Sequence, residues 1–169
     1  YLSYRESSSC NRKNWVGVEK KIKCQLRQIE KLGYQTEHMY YKGTKNYSLI
    51  DLINPFYSCI DLKNIKILQV PDAVYIRFWH IDIGLIKFLA YLKKMNKSMK
   101  IILEIATYPY KGELLSLESK ILYVKEGIYR KFLFKYVDRI LLSTPGYKKL
   151  FGIKVLYVPN AVDYNEQFV

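Results

Sequence analysis

The chain of 169 residues is short of several things, and each shortage narrows what it can be. Cysteine is scarce: Cys10, Cys24 and Cys59 are widely spaced and form neither a CxxC pair nor a metal knuckle. No disulfide framework or metal site is therefore expected. Cys24, in a predicted helix, and Cys59, in an apolar connection, read as inert packing residues, which suits a reducing compartment. No apolar run approaches the roughly 18 residues that a bilayer span needs, and no charged, apolar and cleavage pattern of the leader type opens the chain. Acidic residues are also few. Fifteen Asp and Glu face 28 Lys and Arg, a net charge of +13 that favours anionic partners such as phosphorylated small molecules, nucleic acid or acidic membranes.

What is present is globular. Half of the residues are hydrophobic and a quarter are charged, and the length suits one domain of ordinary size built as one sheet with covering helices. The chain opens on Tyr1 rather than Met, and Tyr1-Leu2-Ser3-Tyr4 reads as the tail of a first strand. Residues 5–16, with Ser7, Ser8 and Ser9, read as a mobile loop. From Gly17, the residues Val18, Ile22, Leu26, Ile29 and Leu32 recur at helical spacing and end at Gly33 in the C-cap position. Residues 34–41 read as a strand, 42–64 as irregular with a short helix near Ser48 to Ile53, and 65–70 as an ambiguous apolar run.

Further along, the residues from Ala73 to Phe78 are β-branched and aromatic, and predict a strand. Asp82 is an N-cap for a helix reaching about Asn96. Residues 100–105 predict a strand apolar enough to be buried on both faces. Leu114, Leu117, Ile121, Val124 and Ile128 mark a helix disturbed near Gly127 and resumed through Tyr136. Arg139-Ile140-Leu141-Leu142 and the run from Lys154 to Val158 are two short strands, separated by a short helix from Thr144 and Pro145 to Gly152. Strand and helix alternate throughout, so the expected fold is α/β: a Rossmann-like, mostly parallel sheet with helices on both faces.

Loops after parallel strands are where such sheets hold ligands, and four carry polar chemistry. Gly17, followed by Val18, precedes the first long helix; either its backbone N–H groups meet an anion such as a diphosphate, or the glycine only permits a tight turn. Arg77 lies at the end of the strand from Ala73 to Phe78, and His80 follows it. Arg77 can fork onto a phosphate or pair with a nearby acid, and His80 can bond a sugar hydroxyl, shuttle a proton, or lie on the surface. Glu104-Ile105-Ala106-Thr107-Tyr108-Pro109-Tyr110 is the most specific stretch. A carboxylate at a buried strand end requires a partner. Glu104, Thr107, Tyr108 and Tyr110 offer hydroxyls, a carboxylate and stacking rings to a sugar, unless Glu104 merely ties down its loop. Ser143 and the pair Asn160 and Asp163 close the two last strands.

In their order and separation, Gly17-Val18-Glu19-Lys20-Lys21, Glu104 to Tyr110, Ser143-Thr144-Pro145 and Asn160-Ala161-Val162-Asp163 resemble landmarks of the N-terminal half of family 4 glycosyltransferases of the GT-B architecture. The chain departs from the pattern where Val16 stands in place of a first glycine and Ala161 in place of another. The Glu104 stretch is similar to one found in bacterial members linked to surface polysaccharide assembly. The resemblance implies an acceptor-side domain whose C-terminal nucleotide-sugar-binding partner domain is absent here, so that the fragment alone is inactive. It implies a nucleotide-sugar donor as co-substrate, a glycan or lipid-linked acceptor, and no metal or other cofactor. A cytoplasmic place is implied too, with Lys87, Lys93, Lys94, Lys97, Lys100, Lys131 and Lys135 able to bring the chain to the inner face of an anionic membrane. The rival class is a non-catalytic Rossmann-like module that binds a nucleotide or glycan. A nucleic-acid binder is disfavoured, since most of the tyrosines fall in predicted strands and helices and no RNA or DNA motif occurs.

Overall fold

The computed structural model describes residues 1–4, 12–43, 48–58, 60–61, 65, 67, 69–78, 80–105, 108 and 116–159. Its strands are β1 (Leu2–Tyr4), β2 (Met39–Gly43), β3 (Ile60–Asp61), β4 (Ala73–Phe78), β5 (Lys100–Ile105), β6 (Arg139–Leu142), β7 (Lys149–Leu150) and β8 (Ile153–Tyr157). The helices are α1 (Arg12–Lys31), α2 (Leu49–Ile53), α3 (Ile83–Met95) and α4 (Leu117–Arg130), the last followed by a 3-10 turn at Leu133–Lys135. All the strands join one sheet in the order β3-β2-β1-β4-β5-β6-β8-β7. Neighbours from β2 to β8 pair in parallel, and the two-residue strands β3 and β7 close the margins antiparallel. The fold is α/β with a mostly parallel sheet, consistent with the Rossmann-like expectation.

Burial alternates along β4 and β6, whereas β5 is buried throughout from Leu103 to Ile105, and the sheet has two unlike faces. Val74, Ile76, Phe78, Ile101, Leu103, Ile105, Ile140 and Leu142 form one core cluster with Leu85, Phe88, Leu89 and Leu92 of α3 and Tyr129 of α4. Leu52 of α2 packs on Leu122 of α4 in a smaller cluster. The opposite face carries Tyr75, Arg77 and Glu104 and is reached by Lys21 and Gln25 of α1. Past Lys100, residues 101–105 are buried or half-buried on both faces, as expected, but on the α1 side the buried residue is the carboxylate Glu104.

Caps set several boundaries. Asp82 accepts from the Leu85 N–H at 3.1 Å and starts α3, as its position predicted. Ser48 caps α2 through a reciprocal bond with Asp51. Other expectations are corrected. The strand expected over 34–41 runs instead over Met39–Gly43. The first helix starts at Arg12, well before Gly17, because one glycine costs a helix only about 1 kcal/mol and a 20-residue helix absorbs that. Leu32 lies past its end, in the turn before Gly33. Helix α4 runs unbroken through Gly127.

No helix forms between Thr144 and Gly152. Gly146, directly after Pro145, has φ +94°, which suits the third position of a type II turn and ends any helix begun there. Phe151 and Gly152 both have positive φ, 52° and 81°, the I′ pattern that joins β7 to β8 as a tight hairpin.

Candidate functional site

Because β1, β2, β4, β5, β6 and β8 are parallel, their carboxyl ends lie along one edge of the sheet. The chain passes from β1 out to β2 and then returns to β4 on the other side of β1, so the strand order reverses between β1 and β4. Such a reversal is where α/β sheets open a ligand crevice. Register places Ser3 beside Arg77, Arg77 beside Glu104 and Glu104 beside Leu141, a row near that edge.

Glu104 is the centre of the row on the α1 side. It is 3 % exposed, and its burial is compensated by three donors. Lys21 Nζ and Arg77 Nη1 each reach Oε1 at 3.1 Å, and the Tyr75 hydroxyl donates to Oε2 at 2.6 Å. The network continues through Gln25, whose amide donates to the Tyr75 hydroxyl at 3.4 Å and whose carbonyl accepts from the Tyr1 hydroxyl at 2.9 Å. Tyr1 stacks on Tyr75 with ring centroids 4.6 Å apart. Burial first, and then the negative charge of Glu104, push the Tyr75 phenol well above its ordinary range, so it remains a donor. On the β1 and β2 side, Ser3 Oγ and His38 Nε2 are 2.9 Å apart, and burial holds His38 below its usual value.

His80 belongs to a second cluster on the α4 side. It is neither a surface side chain nor an isolated one: it is 5 % exposed, with Nδ1 3.1 Å from Oε2 of buried Glu126. Arg130 Nε donates to the other Glu126 oxygen at 2.9 Å. The Arg130 guanidinium lies 4.6 Å from the Tyr123 ring, 5.2 Å from Phe151 and 5.9 Å from Tyr108, within cation–π range. Tyr108 meets Tyr147 and Phe151 edge to face. The ring contacts expected of Tyr108 toward a pyranose are thus made, in part, by the protein itself.

The structure brings Arg77 and Glu104 together on one face, and His80 near the Arg130–Tyr108 cluster on the other. Ser143 directly follows β6 at the same edge and is half-buried. Gly17 and Val18 are not in a loop. They lie within α1, and Gly17 is its sixth residue, beyond the first four whose N–H groups a helix leaves to a ligand. Thr107, Tyr110, Asn160 and Asp163 lie outside the described residues. Lys21, Tyr75, Glu126 and Arg130 were not anticipated. Strand alternation was the signal for Tyr75, which shares a face with Arg77, and the four-residue step was the signal for Glu126 and Arg130.

Among the described residues, no group of three or more His, Cys, Asp and Glu is placed to hold a metal ion, and no helix is long and apolar enough to cross a membrane. Chemically, the edge offers a carboxylate already neutralised by two cations, and an imidazole oriented by a second carboxylate. No protein-family model, curated protein or solved structure compared with the chain gives a match.

Proposed function

We propose that the chain is the acceptor-side domain of a GT-B glycosyltransferase, which moves a sugar from a nucleotide-sugar donor to a glycan or lipid-linked acceptor in bacterial surface polysaccharide synthesis. The observation that carries this reading is the shared edge. Arg77, His80, Glu104, Tyr108 and Ser143 lie at or just beyond the carboxyl ends of three adjacent parallel strands beside a reversal of strand order, the usual ligand position in such a sheet. In this reading Arg77 and Lys21 supply fixed positive charge toward a diphosphate or acidic acceptor, and Glu104 holds both in place. Loss of a diphosphate from an oxocarbenium-like centre demands further cations, and these belong to the partner domain.

The test is transfer from a panel of nucleotide sugars to lipid-linked acceptors by a chain that carries both domains. Arg77→Ala is expected to reduce transfer at least about tenfold, the scale of one charge-assisted bond to a reacting or binding anion. Unchanged transfer in Arg77→Ala would remove the edge from the mechanism. A second reading, a non-catalytic module for a nucleotide or glycan, is favoured by the saturation of Glu104, whose oxygens are already bonded by three side chains. It predicts amide shifts at this edge on titration with saccharide or nucleotide, and no transfer from any donor.

A further inference from the structure

Arg130 closes the last turn of α4, and its side chain is 11 % exposed. A guanidinium is a flat fork whose rim donates hydrogen bonds while its faces lie against rings, and here both are in use. On the rim, Nε donates to Glu126 Oε1 at 2.9 Å, and Nη2 stands 2.9 Å from the same oxygen. The other Glu126 oxygen is 3.1 Å from His80 Nδ1. A carboxylate only accepts, so Nδ1 carries the hydrogen and Nε2 is the acceptor nitrogen of the neutral ring. Around the guanidinium stand Tyr123, Phe151 and Tyr108, with ring centroids at 4.6, 5.2 and 5.9 Å. The positive-φ turn between β7 and β8 places Phe151, and Phe151 in turn meets Tyr108 edge to face at 88°.

We propose that Arg130 is a positioning residue for the carboxyl edge. Through Glu126 it sets the orientation of the His80 imidazole, and through its faces it sets the place of Tyr108. The inference rests on the proposed sugar transfer for its purpose but not for its geometry. His80 and Tyr108 follow different strands, and the register between β4 and β5 ends at Phe78 and Ile105, so what comes after each strand needs another tie. Arg130 supplies one tie for both, from a helix that covers them.

Helix stability alone does not call for this residue. A cation in a last turn suits the helix dipole, but a lysine would meet that need as well. A buried ion pair adds little net stability over apolar packing, whereas its bonds have direction. The two faces of the sheet thus mirror each other at the edge. Toward α1 the carboxylate of Glu104 gathers two cations, and toward α4 the cation of Arg130 gathers a carboxylate and three rings.

Arg130→Lys separates positioning from charge, because it keeps the cation and removes the fork and the flat face. The chain has two histidines, so the ring-nitrogen NMR signals of His80 are those that persist in His38→Gln. In the parent they are expected to show the Nδ1-protonated ring. In Arg130→Lys they should shift toward a mixture of tautomers, and the Tyr108 ring signals should move in the same sample. Tyr108→Ala, which leaves Glu126 and Arg130 in place, should also shift the His80 signals, and it decides the matter if the lysine variant does not fold. Parent-like His80 signals, or a change confined to one of the two residues in Arg130→Lys, overturn the proposal. In a chain that carries both domains, Arg130→Lys should lower kcat about tenfold and change KM less than about threefold, the mark of misplacement and not of lost binding. An unchanged kcat also overturns it. A parent that transfers no sugar would sink the sugar-transfer reading instead, and the ring signals would still decide whether Arg130 positions both residues.

Discussion

The two faces of the sheet solve the same problem, covering a row of parallel strands, with opposite chemistry. Toward α3 and α4 the strands present Ile76, Leu103 and Ile140, all fully buried, against Leu85, Leu89 and Leu92. Toward α1 they present Tyr75, Arg77 and Glu104, held by bonds from Lys21 and Gln25. The first face contributes stability through apolar burial, which needs no direction. The second must satisfy every buried polar group by geometry, and gains little net stability for doing so. A sheet that needed only a roof would be apolar on both sides, so the polar face is the one whose composition asks for a function.

The comparison can be broken most strongly on the apolar side. Leu103→Ala should lower unfolding free energy by about 3 kcal/mol, as truncation of a fully buried leucine does, measured by urea titration. On the polar side Glu104→Ala should cost about 2–3 kcal/mol, because Lys21 and Arg77 lose their counter-charge but, being partly exposed, recover some hydration. A double-mutant cycle of Arg77→Ala and Glu104→Ala should then show coupling of about 1 kcal/mol or more. Strict additivity would mean that the polar layer is not a unit.

A third contrast is with Asp138, an acid in neither layer. Burial works to raise its pKa, but the Ile101 N–H and Lys93, at 2.9 and 3.0 Å, together with Lys100, hold it below the usual value. A depressed folded pKa means that the unfolded chain takes up the proton first. The contribution is therefore complete above about pH 4, the unfolded value, and is lost as pH falls through the folded one. Asp138→Asn should lower stability at neutral pH and flatten its decline below pH 4. The smallest expected effect sharpens the comparison as a control outside both faces. Gly127 lies inside α4, and a Cβ there would meet nothing within 4 Å, so Gly127→Ala should raise stability by about 0.5–1 kcal/mol.

Much of the fold was legible where local chemistry decides it. The limits of β4 and β5 and the start of α3 followed from β-branched and aromatic runs and from Asp82. Glycine and proline misled where they were read as punctuation of one kind. Gly17 and Gly127 sit inside helices, whereas Pro145 opens a turn that Gly146 completes. Neighbouring strands were not legible, because order depends on how helices pack over the sheet. Hence the partners of Glu104 could be expected as a class but not named. Lys21 is distant in sequence and Tyr75 was visible only through alternation. His80 was misjudged for the same reason: nothing near it in the chain announces Glu126.

The margins of the sheet carry a last consequence. Each outermost strand is only two residues long, and one is turned back by the Phe151-Gly152 hairpin. A stray polypeptide approaching β7 would meet two strand residues and then the reversal of the hairpin, so strand addition to β7 itself has little to grip.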